Sequence, residues 1–348
     1  MTRNIDFHAF RIRNDAAGYR AGVETMNADA LSPGEVLVKT AWSSVNYKDA
    51  LAGTGRGRIL RQFPLNGGID VAGHVAASTD PGFREGDAVL CTGSGLSETR
   101  DGGYGEYVRL PAAWTIPLPA GLSLRESMII GTAGFTAALG LLRMQDNRQS
   151  PALGPIAVTG ASGGVGMLAI DIFSRAGYEV HAVSGKADHF DFLRSLGAGA
   201  CIDRHALAFS DKPMDSVRFG GALDNVGGTL LGGLLPLIGP YGNVAICGNA
   251  GGAGFSSTVL PFIIRGASVL GIASAGTARD IRDELWRRLA SDWKPRHLER
   301  IATGEVTLDE LPGVFERMLD GRSFGRTVVR TGQHDRSAIA LGTSAATA

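Results

Sequence analysis

Ile156-Ala-Val-Thr-Gly-Ala-Ser-Gly-Gly-Val-Gly166 is a short apolar run that breaks into glycines and reopens as the apolar, helix-period segment Val165 to Ala176. That order predicts a strand, a tight turn and a helix. Gly160, Gly163 and Gly166 recur at three-residue intervals, a relative of the dinucleotide fingerprint in which missing side chains let backbone N–H groups and a helix N-terminus approach a pyrophosphate. The turn Thr159, Gly160, Ala161, Ser162, Gly163, Gly164, Val165 and Gly166 is therefore the expected anion cradle.

Glycine turns are common in a chain with 50 glycines, so the surroundings decide the reading. The fingerprint requires a second strand whose end, roughly 20 residues past the glycines, meets the adenosine ribose. Glu179 to Ser184 supplies it. A carboxylate there would accept from a free 2′-hydroxyl and repel a 2′-phosphate, but this chain has Ser184-Gly185-Lys186. A hydroxyl, a glycine and a cation suit a phosphate dianion, and Arg204, just past the expected third strand Gly199 to Ile202, adds a second cation. NADPH is the expected cofactor.

Outward from this unit the grammar differs on the two sides. Towards the N-terminus, up to about Ser123, short strands alternate with Gly, Pro and Asp turns: Asp6 to Arg13, Glu35 to Val45, Asp70 to Ser78, Ala88 to Cys91 and Gly105 to Leu110, with one helix at Tyr47 to Gly53. This spacing predicts a compact β-rich domain. From Leu124 helix and strand alternate. Helix Met128 to Met144 precedes the glycine unit. After Ser184 come helix Ala187 to Leu196, strand Gly199 to Ile202, strand Gly221 to Asp224, helix Gly228 to Leu237, strand Asn243 to Cys247, helix Leu260 to Arg265 and strand Ser268 to Ala273. The expectation is α/β, with a six-stranded parallel doubly wound sheet. Arg279 to Leu319 reads as helical, and Arg326 to Arg330 as a closing strand that returns to the first domain. The expected division is 1–123 with 276–333, and 124–275; the small, polar stretch 334–348 is expected to be disordered.

Composition narrows the function. A chain of 348 residues suits two domains, and 44% hydrophobic with 20% charged residues describes an ordinary globular protein. Lys plus Arg equal Asp plus Glu at 34 each, so no long-range field recruits nucleic acid or membrane, and small molecules are the expected partners. Cys91, Cys201 and Cys247 are odd in number and lack metal-ligand spacing. With a polar N-terminus and no apolar run read as long enough to span a bilayer, a cytoplasmic location is expected.

Several strings carry a resemblance: Trp42-Ser-Ser-Val-Asn-Tyr-Lys-Asp-Ala-Leu51, Thr54-Gly-Arg-Gly-Arg58, Gly68-Ile-Asp-Val-Ala-Gly73, Ile129-Ile-Gly-Thr-Ala-Gly-Phe-Thr-Ala137, Val183-Ser-Gly185 and Pro261-Phe-Ile-Ile-Arg265. With the GASGGVG unit and the closing Gly-Arg-Thr-Val-Val strand, they resemble the medium-chain dehydrogenase/reductase superfamily over Met1 to about Gly332. Within it they resemble the YhdH/YhfP-type quinone oxidoreductases, the group containing NADPH-dependent acryloyl-CoA reductases. The resemblance implies a GroES-like β-rich catalytic domain beside a Rossmann domain. Where zinc-dependent relatives place catalytic ligands, this chain has Asn46 and Ile69, so no metal is expected, and His74 is read as a strand-face histidine.

The family implies hydride addition from NADPH to an alkene conjugated to a carbonyl, or to a quinone. For an enoyl thioester the carbonyl oxygen then needs hydrogen-bond donors and Cα needs a proton. Asn46, Tyr47, Lys48 and Asp49, at the start of the helix that faces the nicotinamide in this family, are the implied catalytic cluster, with Tyr47 also a ribose donor and Lys48 paired to Asp49. Thr132, Asn225, Val226, Cys247, Gly248, Asn249, Phe262, Ile263, Ile264 and Arg326 resemble further cofactor contacts. The basic loop carrying Arg56, Arg58 and Arg61, with no acid to balance it, would hold CoA phosphates. Relatives carry tryptophans in the loop Gly93 to Gly103, where this chain has Ser94 and Asp101, implying a different acyl preference. A quinone or 2-alkenal reductase, and a non-enzymatic NADPH-binding protein, stand as alternatives. The apolar strand Ser268 to Ala273 would pair with its copy in a homodimer.

Overall fold

The computed structural model describes residues 5–207, 209 and 212–332; the expected tail 334–348 lies outside the described residues. The β-rich part runs β1 (Asp6–Asp15), β2 (Gly18–Asn27), β3 (Val36–Ser44), α1 (Tyr47–Thr54), β4 (Leu65–Asn66), β5 (Asp70–Ser78), β6 (Ala88–Thr92), β7 (Tyr107–Leu110) and β8 (Ile116–Pro117). Then follow α2 (Leu124–Asp146), β9 (Ile156–Thr159), α3 (Gly164–Arg175), β10 (Val180–Ser184), α4 (Phe190–Ser195), β11 (Ala198–Asp203), β12 (Phe219–Asp224), α5 (Gly228–Leu234), β13 (Ile238–Ile246), α6 (Leu260–Arg265) and β14 (Ser268–Gly271). The chain closes with α7 (Arg279–Leu289), α8 (Leu298–Ile301), β15 (Ala302–Val306), α9 (Leu311–Leu319) and β16 (Arg326–Arg330).

Six strands form one parallel sheet in the order β11-β10-β9-β12-β13-β14. Its inner strands β9 and β12 are buried along their whole length, as a parallel sheet covered on both faces demands. The edge strand β14 alternates half-buried and exposed residues. Strand order reverses beside β9, at whose carboxyl end the glycine turn lies; doubly wound sheets bind ligands at such a point. The remaining strands make a three-stranded sheet, β2-β1-β4, and a seven-stranded one in which β16 joins β3 antiparallel.

Four strands escaped the sequence: the two-residue β4 and β8, and the longer β2 and β15. β2 pairs with β1 in a ten-residue register, yet its half-exposed residues show no clean alternation. The stretch read as helical from Arg279 to Leu319 contains β15, which lies parallel to β16; a short Ala-Thr-Gly-Glu-Val segment becomes a strand because a distant strand offers it an edge. The reading of no membrane-length apolar run also needs correction. α2 is 23 residues long and apolar enough, but most of it is buried inside the fold, as the central helix of a two-sheet core.

α2 begins four residues before the expected Met128, capped by Ser123, whose hydroxyl accepts from the Glu126 N–H while the Glu126 carboxylate accepts from the Ser123 N–H. It breaks at Gly131, with φ 47° and ψ −157°. A side chain there would sit 2.6 Å from the Asp70 carboxylate, 2.7 Å from the Arg326 guanidinium and 2.8 Å from the Ser44 hydroxyl. Gly131→Ala therefore meets both a forbidden backbone angle and a packed ionic cluster. It should lower the unfolding free energy by about 2–4 kcal/mol in urea denaturation; a change within experimental error would show that the break is not required.

Candidate active site

The cradle is built from strand ends. β9 stops at Thr159, and Gly160 turns with φ 58°. Gly163 begins α3 without a side-chain cap, which leaves the first-turn N–H groups to an anion. A Cβ on Gly166 would lie 2.4 Å from the Gly160 carbonyl, so close helix-to-turn packing fixes that glycine. Ala161 is buried, and Ser162 accepts from Ser184 at 3.1 Å. The C-terminal segment closes over the turn: Gly325 donates to the Ser162 carbonyl at 3.1 Å, and a Cβ on Gly164 would meet the Arg326 side chain at 2.7 Å. Val165 packs against the core.

Hydrogen bonds bring the three central strand ends together. Thr159 donates to Asp224 at 2.7 Å, and the Asn225 amide donates to the Thr159 carbonyl at 2.7 Å. The Cys247 thiol donates to the Asn225 side chain at 3.0 Å; burial pushes it up to about 12, so it stays a thiol. A Cβ on Gly248 would lie 2.2 Å from the Asn225 carbonyl, and the Val226 carbonyl accepts from Gly251. Asn249 accepts through its carbonyl from Gly252. Phe262 packs in the apolar cluster with Val226 and Ile246, whereas Ile263 and Ile264 are 72% and 65% exposed.

At the end of β10 the two cations gather around Gly185. A Cβ there would lie 2.6 Å from the Arg204 guanidinium. Ser184 accepts from the Lys186 N–H at 3.1 Å, and the Lys186 ammonium donates to the Ser323 carbonyl. Arg204 donates to His205. Among the described residues neither cation has a carboxylate partner, and burial lowers the Lys186 pKa.

The segment Asn46 to Asp49 opens on a buried polar cluster. Asp70, fully buried, accepts from the Ser44 hydroxyl at 2.6 Å, the Asn46 amide at 2.8 Å, and both the N–H and the hydroxyl of Thr132 at 2.9 and 2.5 Å. Arg326, also buried, stands 3.8 Å from it and donates to the Asn46 side-chain oxygen at 3.1 Å, Ser44 at 2.7 Å, and the Val45 and Ile129 carbonyls. Asp49 accepts from the backbone of Asn46 at 2.8 Å and of Ile69 at 3.0 Å. Burial first, and then the Asp70 charge, push Asp49 up to about 7 against these donors. The same causes hold the Tyr104 phenol well above its usual range.

These contacts revise the roles suggested by sequence. Both ends of the Asn46 amide are occupied, so Asn46 is a fixed member of the cluster. Lys48 pairs with Glu98 at 2.6 Å and not with Asp49, because Asp49 points into the buried cluster. Thr132 serves Asp70 through both its N–H and its hydroxyl. Tyr47 is 42% exposed and its hydroxyl has no hydrogen bond in the described protein. Arg56 is balanced after all, by Glu316 at 2.7 Å; Arg58 and Arg61 are exposed. Asp101 is a buried structural acceptor for Ser32, Asn66 and Arg11, so of the two loop positions only Ser94 faces open space.

That space is a groove of about 540 Å³ between Ser94 to Thr99, the turn at Trp114, and Ala275 to Arg282. It adjoins the cluster through Lys48 and Glu98 on one side. On the other, Thr136 links the Thr132 carbonyl to Ser274. The residues not foreseen from the sequence were Ser44, Asp70 and Arg282. A carboxylate opening the apolar strand Asp70-Val-Ala, and an arginine at the core-facing positions shared with Leu285, Trp286 and Leu289, were the available signals.

Comparison with known proteins agrees with this geometry. The alcohol dehydrogenase GroES-like domain matches residues 32–120 and the zinc-binding dehydrogenase domain residues 164–291. The putative quinone oxidoreductase YhfP of Bacillus subtilis is 43% identical over 325 residues, 93% of this chain and 98% of the relative. The probable acrylyl-CoA reductase AcuI of Escherichia coli is 42% identical over 310 residues, 89% and 95% of the two chains. The YhdH oxidoreductase of Salmonella enterica, solved in complex with NADP, superposes with a TM-score of 0.89 at 41% identity, covering 93% of this chain and all of that one. These matches and the paired GroES-like and doubly wound parts define a medium-chain dehydrogenase/reductase. Within that superfamily the chain belongs to the quinone oxidoreductase group of YhfP, YhdH and AcuI.

Two outcomes follow from the site. Replacing Lys186 and Arg204 by Ala should weaken NADPH binding roughly tenfold or more while leaving NADH affinity unchanged, by fluorescence titration; equal losses for both nucleotides would place the 2′-phosphate elsewhere. Because the folded-state value of Asp49 is raised, the native protein holds this proton after the unfolded chain has lost it. Its contribution is present below the ordinary 3.8 and is lost as pH rises towards about 7. Urea denaturation of the wild type should therefore show a steeper decline over that window than Asp49→Asn; parallel profiles would contradict it.

Proposed function

We propose that this chain catalyses the NADPH-dependent reduction of the C=C bond of an α,β-unsaturated CoA thioester of the acryloyl type. The observation that carries the reading is an exposed phenol, Tyr47, set directly after a fully clamped Asn46, in a chain 42% identical to a probable acrylyl-CoA reductase. Bound NADPH supplies the hydride that reaches Cβ. Ser184, Lys186 and Arg204 hold its 2′-phosphate, the α3 N-terminus its diphosphate, and the strand ends at Asn225 and Cys247 flank its nicotinamide. Tyr47 donates to the thioester oxygen as negative charge gathers there, in a site partly shielded from water. Asp70 and Arg326 position this donor without touching the substrate, and the proton at Cα comes from solvent.

The same proposal divides the chain into 1–123 with 276–333, and 124–275, and makes it a cytoplasmic homodimer. The three free thiols suit a reducing compartment. β14 has a neighbour on one side only, and Tyr241, Val259, Ile263 and Ile264 are strongly exposed, which suits a second copy across a two-fold axis. Light scattering should return twice the 36.3 kDa chain mass; the single mass would contradict the dimer.

Steady-state NADPH oxidation tests the activity. Acryloyl-CoA should be turned over, and Tyr47→Phe should lower kcat by about 10- to 1,000-fold with little change in NADPH affinity. Turnover of 1,4-benzoquinone alone would favour a quinone reductase, in keeping with the name of the Bacillus relative. Binding of NADPH with no turnover of either would indicate a non-enzymatic role.

A further inference from the structure

The two cations at the nucleotide end of the doubly wound sheet are held differently. Arg204 donates to its sequence neighbour, His205. Lys186 reaches instead to the closing segment of the chain, where its ammonium donates to the Ser323 carbonyl. That contact takes one of three N–H donors. The other two, and the charge, are engaged by no described residue, and burial is the one cause that moves the Lys186 pKa.

Phe324 is what seats the Ser323 carbonyl. Its ring centroid lies 4.0 Å from that of the His189 imidazole and 5.2 Å from that of Phe192. His189 ends the short turn that Lys186 opens, and its N–H donates to the Lys186 carbonyl at 3.1 Å. Phe324 therefore rests on the same turn whose first side chain Ser323 holds. The loop is also fixed by its backbone: the Phe324 carbonyl accepts from the Thr303 hydroxyl, and Gly325 donates to the Ser162 carbonyl at 3.1 Å. Gly325 leaves the loop with φ 63°, and a Cβ there would lie 2.6 Å from the Ile301 carbonyl, so the bend requires glycine.

A lysine on a flexible stem samples many rotamers, and ordering it on binding costs affinity. Here the ordering precedes the nucleotide. We propose that Phe324 is a positioning residue for nucleotide selectivity: by seating the Ser323 carbonyl on the Lys186 ammonium it presets that cation for the 2′-phosphate. Preference for NADPH over NADH then depends on a loop outside the doubly wound sheet, one that leads into β16 of the seven-stranded sheet. Phe324 acts only through Lys186. This inference rests on the reading that Lys186 and Arg204 hold the 2′-phosphate.

Titration of the full chain with NADPH and with NADH tests it. Phe324→Ala should weaken NADPH binding about three- to tenfold, the loss expected when one long side chain is ordered on binding instead of beforehand, and should leave NADH affinity unchanged. Phe324→Leu, which keeps an apolar side chain against His189 and Phe192, should recover most of that loss. In a Lys186→Ala background, Phe324→Ala should cost nothing further. An unchanged NADPH affinity, an equal loss for both nucleotides, or the same loss with and without Lys186 would overturn the inference. Where a variant does not fold, the wild type decides: in its complex with NADP⁺ the Lys186 ammonium should contact the 2′-phosphate and the Ser323 carbonyl together, and an ammonium that abandons Ser323 to reach the phosphate would overturn it as well. If Lys186→Ala itself leaves the preference for NADPH intact, the 2′-phosphate reading falls, which is a separate result.

Discussion

Asp70 and Arg326 face each other, fully buried, where β5, the break in α2 and the closing strand β16 meet. Neither charge would be tolerated alone, because a buried ion without partners destabilises a fold strongly. Asp70 instead accepts from Ser44 at the end of β3, from Asn46 and from Thr132 past the Gly131 break, while Arg326 donates to Ser44, Asn46 and the carbonyls of Val45 and Ile129. The cluster ties the β-rich part to the first helix leading into the doubly wound sheet. Its geometry also decides which nearby groups remain free, since it consumes Asn46 and Asp49 and leaves Tyr47.

A second set of contacts links this cluster to the nucleotide site. Arg326 follows Gly325, whose N–H lies on the glycine turn, and Ser323 in the same loop accepts from Lys186. Phe324 stacks between His189 and Phe192. One short loop therefore touches the glycine turn, Lys186 and the buried cluster. This span of chain thus couples the turn before α3 to the buried cluster.

The doubly wound sheet was legible because its determinants are local. A fully buried four-residue strand, three spaced glycines and an amphipathic return leave little choice. β15 was illegible because its strand character comes from β16, not from its own residues. The polar cluster was only half legible. Asn46 and Asp49 stood in a recognisable string, but the partners that occupy them, Asp70 and Arg326, lie far away in sequence. The same holds for Lys48, whose true partner Glu98 comes from a loop 50 residues on. Arg282 could have been noticed as a cation among leucines and a tryptophan on α7, but the carbonyls of Thr92, Ser274 and Ala275 that hold it lie outside that helix.

The most direct test of the account is a crystal structure of the protein with NADP⁺ and a saturated thioester product. The account predicts the 2′-phosphate between Lys186 and Arg204, the diphosphate at the start of α3, and the Tyr47 hydroxyl within hydrogen-bond distance of the thioester oxygen, with Asn46 still held by Asp70 and Arg326. A thioester oxygen bound by another group, with Tyr47 turned away into solvent, would contradict it.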